Sequence, residues 1–117
     1  MADETTTVAA LRAKVAAFVR ARDWEQFHRP ANLAKAISVE AAELLELFQW
    51  REVEALDARM RARVEEELAD VVIYCLSAAN TMGIDLSDAI VHKLRRNEKR
   101  YPADEWRGRA RDASRED

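Results

Sequence analysis

The stretch DARMRARVEEELADVVIYCLSAANTMG, residues 57–83, decides the fold class. Between Asp57 and Gly83 it contains neither glycine nor proline, the two residues that interrupt helices most strongly. Aspartate is a favourable N-cap and glycine a favourable residue just after a helix. The stretch therefore predicts one long helix that ends at about Met82.

Three other helices are predicted on either side of this one. Apolar residues recur at helical spacing in each, and each has a polar residue suited to cap its start. Pro102 opposes continuation of the last helix. The predicted ranges are about Thr7 to Arg22, Asn32 as N-cap to about Trp50, and Ser87 or Asp85 as N-cap to about Arg100. Four helices with short connections predict an all-α bundle.

The composition agrees with long helices in one modest domain. The 117 residues are 49% hydrophobic and 35% charged, with only two glycines and two prolines. We expect a single domain over residues 1–117, with a core of about 7–102 and a polar, mobile tail at 103–117 unless a partner holds it. A core of this size often gains stability by association.

The charge balance and the N-terminus exclude two classes of partner. A net charge of −3 gives no strong field for nucleic acid, and the basic run around Lys93 to Arg100 also suits a solvated helix face. No apolar run approaches the roughly 20 residues that span a bilayer. Residues 1–7 are polar and acidic, without the apolar segment of a secretory signal. We therefore expect a cytoplasmic protein that binds neither nucleic acid nor membrane.

One pair of acids lies in an apolar stripe of the second predicted helix. At about 100° per residue, Glu40 falls close to Leu33 and Leu44. Glu43 lies one turn further on, between Glu40 and Trp50. Both carboxylates should therefore project from the apolar face.

The third predicted helix repeats this arrangement. Glu67 and Asp70 are three residues apart, which makes them neighbours on a helix surface, and they share a face with Tyr74. Glu65 and Glu66 lie further around the helix, away from this face, and are typical surface charges. The sequence thus offers two acidic pairs on apolar faces.

Four carboxylates that are buried together need compensation, because like charges and lost solvation both raise their pKa values. Protonation, pairing with Arg or Lys, or a divalent cation would supply it. Ligands that are all oxygen favour Mg²⁺, with Mn²⁺ as the alternative, and Mg²⁺ often bridges to substrate phosphates. Buried salt bridges between helices remain the structural alternative.

Aromatic and basic residues flank the acids. Trp24, Trp50 and Tyr74 are candidates for stacking on a planar base, whereas core packing is the more common explanation for any single ring. Lys93 and Asn97 share a face of the last helix, where they would suit phosphate oxygens.

Specific motifs resemble those of the MazG-like nucleotide pyrophosphohydrolases, and most closely the dCTP pyrophosphatase branch. The resemblance covers about residues 8–102. The matching motifs are RDWEQFH at 22–28, NL at 32–33, the ExxE of Glu40 and Glu43, LFQW at 47–50, EELADVVIY at 66–74, and KxxxNxxRYP at 93–102.

The resemblance implies an all-α fold whose four-helix bundle is completed by dimerisation, as a homodimer or as a tetramer of two dimers. It implies Mg²⁺-dependent conversion of a (deoxy)nucleoside triphosphate, such as dCTP or a modified pyrimidine dNTP, to monophosphate and pyrophosphate. It also assigns roles to residues. The metal ligands and catalytic residues would be Glu40, Glu43, Glu67 and Asp70; the base and sugar pocket would involve Trp24, Asn32, Trp50 and Tyr74; and the phosphate contacts would be Lys93, Asn97 and Tyr101.

We hypothesise that water attacks the α-phosphorus, with one glutamate of the second helix orienting it or taking its proton. Two alternatives compete with this function. A related pyrophosphohydrolase could act on another nucleotide, such as phosphoribosyl-ATP or dUTP, which a substrate panel would reveal. A non-enzymatic helical dimerisation module would show no Mg²⁺-dependent rise in melting temperature.

Overall fold

The computed structural model describes residues 1–50, 52 and 55–110, and within these ranges it contains helices and no strand. The prediction of an all-α protein is therefore confirmed. The elements are α1 (Ala2–Thr5), α2 (Val8–Ala21), a 3₁₀ turn (Glu25–Phe27), α3 (Pro30–Glu46), α4 (Ala58–Met82), α5 (Leu86–Arg100) and α6 (Ala103–Trp106).

Side-chain caps fix the starts of three of these helices. Thr7, Asp57 and Asp85 each accept a hydrogen bond from the backbone N–H three residues further on, at 3.1, 2.8 and 3.0 Å. Asp85, and not Ser87, is therefore the cap of α5. Gly83 closes α4 in the left-handed region at φ +64°, where glycine has no steric penalty.

The predicted boundaries of α3 were wrong at both ends. The helix begins at Pro30 with Arg29 as its N-cap, so Asn32 lies inside it. Proline is well suited to the first helical position, because its missing N–H has no partner there. At the other end the helix stops at Glu46 instead of Trp50. The next N–H, on Leu47, bonds only three residues back, in the tight turn with which helices often finish.

The chain forms two compact units, the first of which is Met1–Ile84. Within it, α4 packs against both α2 and α3. Leu33 of α3 is the most deeply buried large side chain, at 1% exposure, and Val19, Leu76 and Ala79 lie in the same small core. This packing of α3 on α4 is what brings the two acidic pairs to one place.

A network of hydrogen bonds ties α2 to the C-terminal end of α4. The Arg12 guanidinium donates from Nε to Asn80 Oδ1 at 2.9 Å and from Nη1 to the Ile84 carbonyl at 2.7 Å. In return, Asn80 Nδ2 donates to the Arg12 carbonyl at 3.1 Å. The two helices are therefore joined by directional polar contacts as well as by apolar packing.

The second unit begins at Asp85 and contains α5 and α6. Trp106 of α6 packs edge-to-face on Tyr101, with ring centroids 5.0 Å apart and planes at 85°. This one-turn helix was not predicted, because the segment after Pro102 is polar apart from Trp106. Residues 111–117 of the predicted tail lie outside the described residues, and its mobility stays a prediction. None of the described helices combines the length and the apolar character needed to cross a membrane.

Candidate active site

Carboxylates from α3 and α4 converge in the structure. One oxygen each of Glu40, Glu67 and Asp70 lies within 4.8 Å of the other two. Glu67 and Asp70 are one turn apart on α4, and Glu40 reaches them from α3. Glu40 is at least 27 positions away from the other two acids in sequence. Packing of α3 on α4 therefore brings the three acids into a single cluster.

Glu43 lies at the edge of this cluster. Its side chain is exposed, and it is not one of the three residues whose oxygens converge. Its negative charge is nonetheless close enough to both Glu40 and Glu67 to raise the pKa of each. All four predicted acids are thus brought together, with Glu43 and Asp70 exposed and Glu40 and Glu67 half-buried.

The environment strongly favours the protonated form of Glu40. Burial, a hydrogen bond with Glu43 and the charges of Glu43, Asp70 and Glu67 together raise the pKa of Glu40 from 4.5 to about 7. Burial and the neighbouring carboxylates also raise the pKa of Glu67. Loss of solvation and like-charge repulsion therefore act in the same direction on both groups.

The cluster fits a divalent cation. Oε2 of Glu40 and Oε2 of Glu67 are shielded from solvent and have no hydrogen-bond partner among the described residues. The described residues also provide no salt bridge to any of the four acids. Unpartnered buried carboxylate oxygens are costly, and an all-oxygen set of anionic ligands suits a hard cation. The alternative of inter-helical salt bridges therefore finds no support in the described part of the chain.

The raised pKa of Glu40 predicts how the metal-free protein responds to pH. Between pH 4.5 and about 7, folded Glu40 retains a proton that the unfolded chain has released. Stability should therefore fall as pH rises through this window. We expect the free energy of unfolding, measured by urea denaturation in the presence of a chelator, to decrease between pH 5 and pH 8. This decrease should be smaller for Glu40→Gln than for the wild type.

Glu65→Gln is the matched control for this measurement, because Glu65 is an exposed acid of α4. In Glu65→Gln, the free energy of unfolding should decrease between pH 5 and pH 8 by as much as in the wild type. An equal decrease in Glu40→Gln and the wild type would contradict the assigned role of Glu40 in the pH dependence.

A cavity of about 340 Å³ brings together three of the residues predicted to surround the base. Trp24, Asn32 and Tyr74 all line it. The other lining residues are Phe27, His28, Leu33 and Ala36. Its walls are largely aromatic and apolar with a few polar groups, which is typical of small-molecule sites.

The cavity lies one helical turn from the carboxylates on both helices. On α3, Ala36 lines the cavity four residues before Glu40; on α4, Tyr74 lines it four residues after Asp70. Four residues of α-helix rise by about 6 Å. An aromatic cavity and an acidic cluster are therefore adjacent, held by the same pair of packed helices.

The remaining predicted residues do not line this cavity. Trp50 is 88% exposed and lines a different recess, beside Glu46 and Arg63. Lys93 and Asn97 lie on α5, in the second unit, where the Asn97 carbonyl accepts the Tyr101 N–H at 2.7 Å. For Trp50, Lys93, Asn97 and Tyr101, contact with a nucleotide remains a prediction.

The predicted site left out four lining residues, Phe27, His28, Leu33 and Ala36, and the role of one hydrogen bond. Ala36 could have been found from its position one turn before Glu40. Asn32 does not cap α3, and its Nδ2 instead donates to the Phe27 carbonyl at 3.1 Å, which closes the turn beneath the cavity. No local pattern identifies that contact in advance.

The chain is similar to known nucleotide hydrolases. It is 42% identical to dCTP pyrophosphatase 1 of Bos taurus over 109 residues, which cover 89% of this chain and 64% of that protein. It is also 42% identical to the Homo sapiens dCTP pyrophosphatase 1 over 102 residues, 83% of this chain and 60% of that one. The chain thus spans less than two thirds of the length of these relatives.

A solved structure and a family model agree with this similarity. The crystal structure of a pyrophosphatase from Archaeoglobus fulgidus superposes with a TM-score of 0.70 at 38% identity, covering 77% of this chain and 87% of that one. The model of the MazG-like family matches residues 35–114, which include all four clustered acids. The chain therefore belongs to the MazG-like family.

Proposed function

We propose that this protein hydrolyses a (deoxy)nucleoside triphosphate, dCTP or a modified pyrimidine dNTP, to the monophosphate and pyrophosphate with Mg²⁺. The observation that carries this proposal is the adjacency of the aromatic cavity to the acidic cluster along α3 and α4. The names of the dCTP pyrophosphatase relatives and of the archaeal pyrophosphatase support the same chemistry.

The two parts of the site match the two parts of a nucleotide. A base would stack against Trp24 or Tyr74, a contact that is typically worth about 1–3 kcal/mol. The triphosphate would then extend along the helices towards Glu40, Glu67 and Asp70. A cavity of about 340 Å³ lies at the small end of the usual range for ligand sites, which suits one nucleoside.

Carboxylates repel a triphosphate unless a cation lies between them. Mg²⁺, when bound, would supply the compensating charge and would lower the pKa of a coordinated water. Glu40, Glu67 and Asp70 would hold the cation, since their oxygens converge and two of those oxygens have no other partner in the described structure. Mn²⁺ would satisfy the same ligands.

The reaction that we propose is substitution at the α-phosphorus. A water oxygen forms a new bond to phosphorus while the bond to the bridging oxygen breaks, and pyrophosphate leaves. Glu43 is best placed to accept the proton from water, because it is exposed beside Glu40 and Glu67 but lies outside the converging set. Lys93, Asn97 and Tyr101 would contact the phosphates, as the family resemblance implies.

We also propose that two chains assemble, as a homodimer or as a dimer of dimers. The described part of the chain buries only seven apolar side chains, whereas Leu68 and Val72 remain 50% and 45% exposed. These two residues are one turn apart on α4, on the helix that carries Glu67 and Asp70. Apolar area exposed in this way commonly marks an interface.

A panel of dNTPs tests the proposed activity. We expect dCTP or a modified pyrimidine dNTP to give monophosphate and pyrophosphate with Mg²⁺, and no products with a chelator. Nucleoside diphosphate and orthophosphate as products would contradict attack at the α-phosphorus. Preference for a non-pyrimidine substrate would favour a related pyrophosphohydrolase, and failure of every nucleotide would favour a non-enzymatic module.

A further inference from the structure

Hydrogen bonds of the side chain and the backbone hold the exposed turn that carries Trp24. Asp23 has φ +54° and is the only non-glycine residue with positive φ among the described residues. Its carbonyl and Oδ2 accept from Gln26 Nε2 at 3.0 and 3.1 Å. The Trp24 N–H donates to the carbonyl of buried Val19 at 3.1 Å. The backbone at Trp24 is therefore fixed in place.

The Trp24 ring has its own support, which comes from α2. Phe18 packs on it nearly perpendicularly, with ring centroids 5.7 Å apart and planes at 75°. This is one of the favoured geometries for a pair of aromatic rings. Because Trp24 is 44% exposed, packing from the surrounding protein cannot fix its ring completely, and Phe18 restricts the rotations that remain.

Phe18 is itself held by Arg22. The Arg22 guanidinium carbon lies 3.6 Å from the centre of the Phe18 ring, well inside the range of a cation–π contact. Arg22 Nη1 also donates to the Phe18 carbonyl at 3.0 Å. Arg22, Phe18 and Trp24 thus form a continuous stack, which ends at the cavity that Trp24 lines.

We propose that Phe18 is a positioning residue for Trp24, with Arg22 holding Phe18 in place, so that the stack sets how well the cavity binds a base. This inference rests on the proposed function, since it assumes that a base occupies the cavity. Neither Phe18 nor Arg22 lines the cavity. Their effect should therefore reach substrate binding through the orientation of the Trp24 ring.

Phe18→Leu tests this proposal, because it keeps an apolar side chain and removes the ring. We expect KM for dCTP to rise about threefold to tenfold while kcat changes by less than about twofold, since the acids are untouched. Phe18→Tyr should restore the wild-type KM because it restores the ring. Arg22→Gln should raise KM in the same direction by a smaller factor.

Leu11→Ala is the matched control. Leu11 lies two turns earlier on the same face of α2 and is 40% exposed, against 49% for Phe18. Leu11→Ala therefore has any general effect of removing apolar area from that face of α2. Leu11 itself does not belong to the stack of Arg22, Phe18 and Trp24. We expect its KM to equal that of the wild type.

A spectroscopic measurement separates positioning from folding. The protein has three tryptophans, so incorporation of 5-fluorotryptophan gives three ¹⁹F resonances that single Trp→Phe variants can assign. In Phe18→Leu the Trp24 resonance should shift, since the neighbouring ring current is lost, while the Trp50 and Trp106 resonances stay in place. A general loss of structure would move all three.

Each outcome bears on the proposal. A raised KM with an unchanged kcat and a shifted Trp24 resonance supports it. An unchanged Trp24 resonance, an unchanged KM, or an equal rise in KM for Leu11→Ala would overturn it while leaving the proposed function intact. A wild-type protein that hydrolyses no nucleotide in the panel would instead overturn the proposed function, and this inference with it.

Discussion

Glu67→Gln should lower the rate of dCTP hydrolysis at least about 100-fold, because partners that only orient a metal ligand already contribute about 10–100-fold. Glu67 is half-buried, and its Oε2 has no hydrogen-bond partner among the described residues. Glutamine keeps the size of the side chain but replaces an anionic oxygen with an amide. The measurement is the initial rate at saturating Mg²⁺, followed as release of pyrophosphate.

Glu65→Gln is the control for this substitution, since it makes the same chemical change two residues earlier on α4, at an exposed position. Its rate should stay within about twofold of the wild type, as for most surface substitutions. Glu67→Gln should also remain folded without divalent cations, because the change removes a repelling charge from the cluster. Wild-type activity in Glu67→Gln would rule out Glu67 as a metal ligand.

Arg12→Ala should lower the free energy of unfolding by about 3 kcal/mol, since hydrogen bonds from a charged donor contribute about 1.5–3 kcal/mol each. Two such bonds are lost, at 2.9 Å to Asn80 Oδ1 and at 2.7 Å to the Ile84 carbonyl. Both acceptors would need water in place of the guanidinium. Urea denaturation of the variant and the wild type at the same protein concentration measures the effect, because association makes the apparent stability depend on concentration.

Two further variants isolate the geometry of this contact. Arg12→Lys retains the charge but cannot bond two separate acceptors in a fixed fork. Its free energy of unfolding should therefore lie between those of the wild type and Arg12→Ala. Lys14→Ala removes an exposed charge from the same helix and should change stability by less than about 0.5 kcal/mol. Equal stabilities for Arg12→Ala and Lys14→Ala would show that the Arg12 network does not support the fold.

Local signals were sufficient to predict the four long helices and the acidic pair on each of α3 and α4. The caps at Thr7 and Asp57 and the left-handed Gly83 depend on residue type and on the few residues that follow, all of which the sequence displays. Glu67 and Asp70 share a face through the period of the helix alone. The convergence of the acidic pairs was less accessible, since periodicity shows an apolar face but not its partner.

Features that depend on competing local preferences or on distant contacts were not predictable. The start of α3 was placed at Asn32 instead of Pro30, because proline both interrupts helices and begins them well. The Arg12 contacts join residues 68 and 72 positions apart, for which no local pattern exists. The apolar pattern continues beyond Glu46, so it did not reveal that α3 stops there, in the tight turn at Leu47.

The left-handed backbone at Asp23 also limits which amino acids can replace Asp23 during evolution. Glycine, asparagine and aspartate occupy that region readily, whereas β-branched residues are strained there. An aspartate codon is one nucleotide from codons for asparagine, glycine and histidine, which the left-handed region tolerates, but also from those for valine, alanine, tyrosine and glutamate. Most single-base changes at this codon would therefore disturb the turn that presents Trp24, although Asp23 itself lines neither the cavity nor the acidic cluster.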